Sequence, residues 1–216
     1  MIFRLSRELI FPDPSLSEPD GLLAVGGDLE PERVLLAYRS GIFPWPVKGQ
    51  PLLWFSPPER FVLFPEKLKV STSMRKVFRD HDFELSTDKA FEEVITACAS
   101  VKRPNQRGTW ITSGIKSAYI RLHRLGYAHS SEAWKEDKLV GGLYGIVQGS
   151  VFCGESMFSK ESNASKAAFI HYVQNSSFRM IDCQVHTAHL ESLGAELISR
   201  ERYLDLLKDL SSASAE

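Results

Sequence analysis

The run LVGGLYGIVQGSVFCGESMFS, residues 139–159, constrains the fold of this chain more than any other stretch. Apolar and small residues alternate on both sides of a Gln148-Gly149-Ser150 turn, and this pattern predicts a two-stranded β-hairpin. Glu155 is the single charged residue in the run. A carboxylate in such surroundings is expected to be paired with a cation, exposed in a cleft or functional. A purely structural carboxylate, buried and hydrogen-bonded by backbone N–H groups, fits the sequence equally well.

The segment RMIDCQV, residues 179–185, repeats this pattern of one acid among apolar residues. Because side chains two positions apart on a strand share a face, Asp182 and Gln184 are predicted to point the same way. The same rule places Glu155 and Met157 on one face of the hairpin. Two strands of this kind suggest polar groups at the mouth of an apolar cleft.

The composition is that of an ordinary globular protein. A chain of 216 residues is long enough for one large domain or two modest ones. A net charge of −1 excludes a uniformly basic nucleic-acid coat, although a local basic patch remains compatible with it. Cys98, Cys153 and Cys183 form no CxxC pair, which favours free thiols in a reducing compartment. The sequence predicts neither a signal peptide nor a membrane span, so we expect a cytoplasmic protein.

Residues 1–60 are rich in proline, aromatic residues and glycine, which predicts a small, compact and mostly irregular N-terminal domain. Within it, Asp28 and Pro31 predict the capped start of a short helix that ends near Gly41. From residue 61 onward the sequence changes to regular helix and strand patterns. Residues 61–216 are therefore predicted to form a second domain.

The second domain is predicted to alternate between helices and strands. The predicted helices are residues 71–80, 88–100, 113–125, 164–175, 188–193 and 200–210, and the predicted strands are residues 61–64, 128–135, 139–148, 150–158, 179–185 and 196–198. Asp88 and Asn163 are among the predicted caps of these helices. This order predicts a three-layer α/β plan, an α+β mixed sheet with helices on both faces, which resembles the acetyltransferase (GNAT-like) architecture. The fold class alone does not give the function.

Familiar phosphate-binding motifs do not fit this chain. The run GTWITSGIKS, residues 108–117, has one residue too many between its glycines, and no apolar strand leads into it. No GxGxxG follows a strand, so a dinucleotide site is unsupported. The helix predicted at residues 164–175 opens with ESNASK, which lacks the glycine-rich turn that a CoA pyrophosphate requires.

A cysteine-dependent acyl hydrolase remains an alternative class, because Cys183 lies beside Asp182 and near His186. Neighbouring residues on a strand face opposite sides, so Asp182 and Cys183 are not expected to share a site. A buried structural thiol is the better interpretation of Cys183. His186 and His189 are three residues apart, but no third ligand lies near them, which argues against a zinc site.

Five runs occur in one order along the chain: GGDLEPERVLLAYRSGIFPW, GTWIT, GGLYGIVQGSVFCGESMFS, NASK and IDCQV. In this order they resemble the bacterial leucyl/phenylalanyl-tRNA–protein transferases, from about Phe11 to Leu207. The resemblance implies transfer of Leu or Phe, and less well Met, from aminoacyl-tRNA to a protein N-terminus bearing Arg or Lys. The product is an N-degron, a tag for proteolysis. A tRNA- or peptide-binding adaptor without turnover stays open as a second class of function.

The resemblance also implies which molecules the protein binds and which it does not need. The partners are aminoacyl-tRNA carrying Leu, Phe or Met and acceptor proteins with N-terminal Arg or Lys. Because the ester is already activated, we expect no cofactor and no metal. A membrane partner is not expected, and a monomer is the default.

The resemblance assigns the chemistry to Asp182, Gln184 and Glu155. In the hypothesis that follows from it, Asp182 orients and polarises Gln184, whose amide oxygen contacts the attacking amine. In an alternative, the ribose 2′-hydroxyl moves the proton and Asp182 only positions groups. Glu155 is expected to hydrogen-bond the aminoacyl or acceptor amine.

The apolar side of the predicted aminoacyl pocket comes from five residues: Leu143, Met157, Phe169, Tyr172 and Ile181. Trp110 is the favoured platform for stacking the terminal adenine of tRNA, with Trp45 next, although interior packing is the commoner role of tryptophan. Arg75 and Arg79 lie one turn apart on a predicted helix, with Lys76 beside them. A solvated helix face explains such cations most simply, and contact with acceptor-stem phosphates is the sharper hypothesis.

Overall fold

A computed structural model of the protein describes residues 2–47, 49–101 and 109–211. The strands are β1 Phe3–Leu5, β2 Leu22–Gly26, β3 Phe43–Pro44, β4 Leu53–Phe55, β5 Glu59–Leu63, β6 Glu84–Thr87, β7 Ala128–Lys135, β8 Lys138–Gln148, β9 Val151–Ser159, β10 Met180–Gln184 and β11 Glu196–Ser199. The helices are α1 Pro31–Arg39, α2 Thr72–Arg79, α3 Phe91–Ser100, α4 Ser113–Arg124, α5 Ala164–Gln174, α6 Ala188–Ser192 and α7 Arg200–Ser211.

The N-terminal part of the chain holds a four-stranded sheet with the order β1-β2-β4-β3. The sequence did not predict these strands, which are two to five residues long in a segment rich in the glycines and prolines that suggested turns. Trp54 is fully buried, and its indole N–H donates to the carbonyl of Gly26 over 2.9 Å. Trp54 and Val62 belong to one hydrophobic cluster, so this sheet packs directly against the rest of the protein. A domain boundary near residue 60 stays a prediction.

The large sheet has seven strands in the order β11-β5-β10-β9-β8-β7-β6. β9 and β10 are parallel, and the other pairs of neighbours are antiparallel. One hydrophobic cluster includes residues of α3, α4 and α7, and a second includes residues of α2 and α5. The predicted hairpin and the mixed α/β class are both confirmed. β6 is a strand that the sequence did not predict.

Several predicted helix caps are wrong, although the helices themselves form. Asp28 accepts a hydrogen bond from the Glu30 N–H and faces the guanidinium of Arg33, while α1 begins at Pro31 without a side-chain cap. Asn163 takes the N-cap position of α5, but its backbone is left-handed and its side chain makes no capping hydrogen bond. In each case the polar side chain is engaged elsewhere or lies in the wrong backbone conformation to bond the free N–H groups.

A β-bulge interrupts the strand alternation at Glu155. Tyr144 pairs with Ser156, and the next residue, Gly145, pairs with Gly154, so Glu155 is the extra residue of β9. Glu155 therefore turns towards the cluster that contains α4, while Met157 packs against the cluster that contains α5. The predicted common face for these two side chains is wrong because the bulge adds one residue to the period of two.

A second irregularity ends β10. The register against β5 shifts between Asp182 and Gln184, and Gln184 has a φ of 63°. A positive φ is uncommon for residues other than glycine and requires support from the surroundings. β10 is in register with β9 over three pairs only, Met180–Asp182 against Val151–Cys153. Beyond these pairs the two strands contribute residues to the cavity described next.

Candidate active site

A cavity of about 540 Å³ lies between β8, β9, β10 and α5, and it is mostly apolar. Four of the five residues predicted for the aminoacyl pocket line it: Leu143, Met157, Phe169 and Ile181. Tyr172 does not line it, because its ring packs edge-on against Phe152 and Phe178. The expectation that Tyr172 lines the pocket is therefore wrong.

Glu155 is the one carboxylate among the described residues that line this cavity. Its Oε1 accepts hydrogen bonds from the Tyr38 hydroxyl over 2.5 Å and from the Gln184 side-chain amide over 2.7 Å. Its Oε2 accepts from the Tyr119 hydroxyl over 3.2 Å. Every hydrogen-bond donor that the described structure gives Glu155 is therefore electrically neutral.

The surroundings raise the pKa of Glu155 from its ordinary value of 4.5 to about 7. Burial is the largest cause, and hydrogen bonds from Tyr38 and Tyr119 oppose it. The negative charge of Asp182 raises this pKa further, whereas the hydrogen bond from Gln184 lowers it. A carboxyl group with a pKa near 7 is present in both protonation states at neutral pH, which suits a group that binds an amine or accepts its proton.

Tyr38 and Tyr119 come from α1 and α4, and the sequence patterns gave no indication of their role. Their hydroxyl oxygens are 2.5 Å apart, and both side chains are buried. Burial and the nearby Glu155 raise the pKa of both phenols well above the usual value of tyrosine, so both remain neutral donors. Each tyrosine lies in the apolar stripe of its helix and is indistinguishable there from an ordinary core residue.

Asp182 is fully buried and paired with Arg60. The guanidinium donates to both carboxylate oxygens, from Nε over 2.9 Å and from Nη2 over 2.7 Å, and the Tyr203 hydroxyl adds a bond of 2.8 Å. The guanidinium also lies over the rings of Phe43 and Tyr203. Burial acts to lower the pKa of Arg60, but the Asp182 carboxylate outweighs it and raises that pKa overall. This geometry holds Asp182 as a fixed, compensated anion.

Asp182 contacts Gln184 through the backbone. Its Oδ1 accepts a hydrogen bond of 2.8 Å from the Gln184 N–H, which supports the left-handed conformation of that residue. This backbone contact is how the carboxylate of Asp182 meets Gln184 in the described structure, and the role of Asp182 in orienting Gln184 stays a prediction. The side-chain amide of Gln184 donates to Glu155, and its carbonyl oxygen accepts no hydrogen bond from the described part of the chain. The oxygen is thus available to a ligand in the cavity that Gln184 lines.

The two predicted stacking residues lie together. The rings of Trp45 and Trp110 are 6.0 Å apart between centroids and tilted by 32°, and both line the cavity. The cations Arg75, Lys76 and Arg79 lie on α2, are exposed and do not line it. The roles of these five residues in binding tRNA stay predictions.

The geometry around Cys183 does not activate a thiol. Burial and the charge of Asp182 raise the pKa of Cys183, so the unreactive thiol form is favoured. His186 instead contacts Glu191 over 3.1 Å, and its ring lies edge-on to Phe61. Within the described ranges there is no group of three or more His, Cys, Asp or Glu residues arranged to hold a metal ion. No helix there is long and apolar enough to cross a bilayer.

Comparison with known proteins places the chain in a family. A family model described as leucyl/phenylalanyl-tRNA protein transferase matches residues 62–208, and a model for the N-terminal domain of the same family matches residues 27–58. The chain belongs to the leucyl/phenylalanyl-tRNA protein transferases. The family resemblance noted in the sequence and the predicted class of enzyme are both confirmed.

Relatives of this family are similar over nearly the whole chain. The leucyl/phenylalanyl-tRNA–protein transferase of Syntrophobacter fumaroxidans is 56% identical over 96% of this chain and 90% of its own length. That of Flavobacterium johnsoniae is 50% identical over 96% of this chain and 99% of its own length. The shared name describes an acyltransferase that moves an amino acid from tRNA to protein.

Solved structures of similar shape are distant in sequence. A conserved protein of unknown function from Staphylococcus epidermidis gives a TM-score of 0.46 at 13% identity and covers 65% of this chain and 57% of its own. A GCN5-related N-acetyltransferase-like protein from Streptococcus suis gives 0.38 at 15% identity and covers 66% and 60%. At these scores, the description of the fold rests on the strand order of the protein itself.

Proposed function

We propose that the protein transfers Leu or Phe, and less well Met, from aminoacyl-tRNA to the N-terminal Arg or Lys of acceptor proteins, and that the transfer takes place beside Glu155. The observation that carries this proposal is the position of a single carboxylate, with a pKa near 7, in a mostly apolar cavity. Such a cavity can bury the apolar side chain of the transferred amino acid and can also bind the reacting amine. The acceptor protein would bring a positive charge to Glu155, the single carboxylate of the cavity.

The cavity suits apolar side chains that are not branched at Cβ, such as those of Leu, Phe and Met. Met157 pairs with Leu143 across β8 and β9, and Phe169 and Ile181 line the same space. A flexible thioether adapts to Leu, Phe and Met alike. Discrimination by one methylene group is worth only about 1–3 kcal/mol, so tolerance among apolar amino acids is expected.

The reaction is aminolysis of an activated ester, for which the protein mainly supplies position and a proton acceptor. An α-amine has an ordinary pKa of about 7.7–8.0, so part of it is neutral at pH 7. Positioning the amine against the ester contributes about 7–11 kcal/mol, and a nearby proton acceptor contributes about 10²–10⁴-fold. In this proposal Glu155 is the proton acceptor that faces the amine, and the amide oxygen of Gln184 accepts a hydrogen bond from the amine. Transfer of the proton through the ribose 2′-hydroxyl stays the alternative route.

Asp182 acts in this proposal by positioning. It is enclosed by Arg60 and Tyr203 and holds the Gln184 backbone in its left-handed conformation. This conformation directs the Gln184 amide towards Glu155. Removal of Asp182 would therefore displace Gln184 rather than remove a proton acceptor.

The tRNA would contact two further regions. Trp45 and Trp110 would stack the terminal adenine, with about 1–3 kcal/mol per stacked base. Arg75, Lys76 and Arg79 would contact acceptor-stem phosphates, which makes binding salt-dependent and largely independent of tRNA sequence. In this proposal the enzyme acts as a cytoplasmic monomer without a cofactor, and its products are N-degrons.

The direct test is transfer of radiolabelled Leu and Phe from charged tRNA to a peptide that begins with Arg. A peptide that begins with Ala is the substrate control, and Glu155→Gln is compared with Glu201→Gln, which removes an exposed carboxylate on α7. Label should appear on the Arg peptide only, and Glu155→Gln alone should lose most of it. Absence of transfer to both peptides, with tRNA still bound, would favour the adaptor. Loss of activity in Cys183→Ser would favour the hydrolase.

A further inference from the structure

A second cavity of about 400 Å³ adjoins the apolar cavity at the start of α5. The two share Ser159, Ser165 and His189 in their linings, so we call the second one the side cavity. It contains the loop between β9 and α5, including the NASK run, residues 163–166, to which the proposed transfer chemistry assigns no role. Its distinguishing property is its charge.

Two lysines and one histidine line the side cavity. Lys166 is half-buried and makes no hydrogen bond or ion pair with any described residue. Lys160 donates to the carbonyl of Leu139 over 3.0 Å. The one carboxylate in the lining, Glu161, is already bound by Lys135 at the end of β7, over 2.8 Å. The side cavity therefore presents positive charge that the described protein does not neutralise.

His189 adds an unused polar atom. Its Nε2 is buried and has no hydrogen-bond partner in the described part of the chain. Burial and the charge of the nearby Lys166 lower the pKa of His189, so its ring is neutral at pH 7. An ammonium group without a counter-ion attracts anions, and a buried ring nitrogen without a hydrogen-bond partner is costly. An anion bound in the side cavity would satisfy both.

We propose that the side cavity binds the phosphodiester that links the terminal adenosine of aminoacyl-tRNA to the preceding nucleotide. This inference rests on the proposed function, which places the aminoacyl ester beside Glu155. A phosphate on the 5′ carbon of the esterified nucleoside must lie within one nucleotide of that ester. The side cavity shares three lining residues with the apolar cavity, whereas the α2 cations line neither. Lys166 supplies the charge, and Lys160 and His189 supply further donors.

The test uses two stable analogues of the substrate. 3′-Deoxy-3′-(leucylamino)adenosine replaces the ester by an amide, and its 5′-phosphate adds the one group in question. Calorimetry should show that the phosphate lowers the Kd for the natural protein by about tenfold, the effect of one charge-assisted hydrogen bond. Lys166→Gln should abolish this gain without changing the Kd of the unphosphorylated analogue, and Lys166→Arg should retain it.

Lys69→Gln is the matched control, because Lys69 is exposed and lines none of the cavities described above. It should leave the gain from the phosphate unchanged. Equal binding of the two analogues by the natural protein would overturn the phosphate site while leaving the proposed function intact. So would a Lys166→Gln protein that keeps the full gain. Failure of both analogues to bind would overturn the assignment of the apolar cavity, and the phosphate site with it.

Discussion

Two carboxylates lie near each other in this protein, and their surroundings differ in kind. Asp182 is enclosed by the Arg60 guanidinium and the Tyr203 hydroxyl and has no exposed surface. Glu155 faces a cavity and is hydrogen-bonded only by neutral donors in the described structure. The charge of Asp182 is compensated by the opposite charge of Arg60, while the charge of Glu155 is stabilised by hydrogen bonds alone.

This difference separates a positioning role from a chemical one. A carboxylate locked against arginine cannot exchange its partner for a substrate without leaving an unpaired buried charge. A carboxyl group with neutral partners and a pKa near 7 can take up an ammonium group or a proton at little cost. In the proposed function, the more buried and more extensively bonded acid, Asp182, therefore positions other groups, and Glu155 takes part in the chemistry.

The largest expected effect comes from Arg60→Met, which leaves the Asp182 charge buried and unpaired. The loss of stability should be about 3–5 kcal/mol, measured by urea unfolding. The double variant Arg60→Met with Asp182→Asn removes both charges and should recover part of the loss. A single variant as stable as the natural protein would show that the pair is not a compensated buried pair.

Tyr38→Phe should act on the rate of transfer. The hydroxyl donates to the ionised form of Glu155, so its loss raises the pKa of that carboxyl further and leaves less carboxylate at pH 7. Transfer at pH 7 should fall by about tenfold, the effect of one hydrogen bond to a charged group, and should recover at higher pH. Tyr203→Phe, which touches Asp182 instead, should leave the pH midpoint unchanged. A midpoint that moved in Tyr203→Phe but not in Tyr38→Phe would reverse the two roles.

Stability should also depend on pH through Glu155. Its pKa is about 7 in the folded protein and near its ordinary value of 4.5 in the unfolded chain. The folded state binds the proton more tightly, so the stabilisation is complete below pH 4.5 and is lost as the pH rises towards 7. The free energy of unfolding should fall more between pH 4.5 and 7 in the natural protein than in Glu155→Gln. An equal fall in the free energy of unfolding of the two proteins would contradict the raised pKa of Glu155.

The smallest effect concerns Tyr172. Because its ring packs against Phe152 and Phe178 outside the cavity, Tyr172→Phe should leave the ratio of Leu to Phe transfer unchanged. Leu143→Met alters a residue that lines the cavity and should change that ratio. Competition between the two charged tRNAs measures it. A changed ratio in Tyr172→Phe alone would place the aminoacyl pocket elsewhere.

Much of the fold was accessible from the sequence, because it depends on local patterns. The β8–β9 hairpin, α2 and α5 all follow from alternation, helical spacing and turn residues. The short strands near the N-terminus were missed, since their prolines and glycines resemble turn signals. The strand patterns drew attention to Glu155, Asp182 and Gln184, and the family resemblance gave these residues the roles that stay predictions.

The arrangement of the site could not be predicted, because it depends on irregularities and on distant partners. The bulge at Glu155 and the left-handed backbone at Gln184 break the alternation on which face assignments rest. Arg60 lies 122 positions from Asp182, and Tyr38 lies 117 positions from Glu155. No periodicity links residues at such separations.

In the proposed function, Glu155 acts in the transfer step in its ionised form, as the proton acceptor. The measurement is the single-turnover rate of Leu transfer from tRNA to an Arg-starting peptide between pH 6 and pH 9, for the natural protein and for Glu155→Gln. The natural protein should show a step near pH 7 in addition to the titration of the acceptor amine. Glu155→Gln should lose that step and be about 100-fold slower, at the lower end of the effect of a proton acceptor. A variant with the natural rate and the natural pH profile would contradict the account.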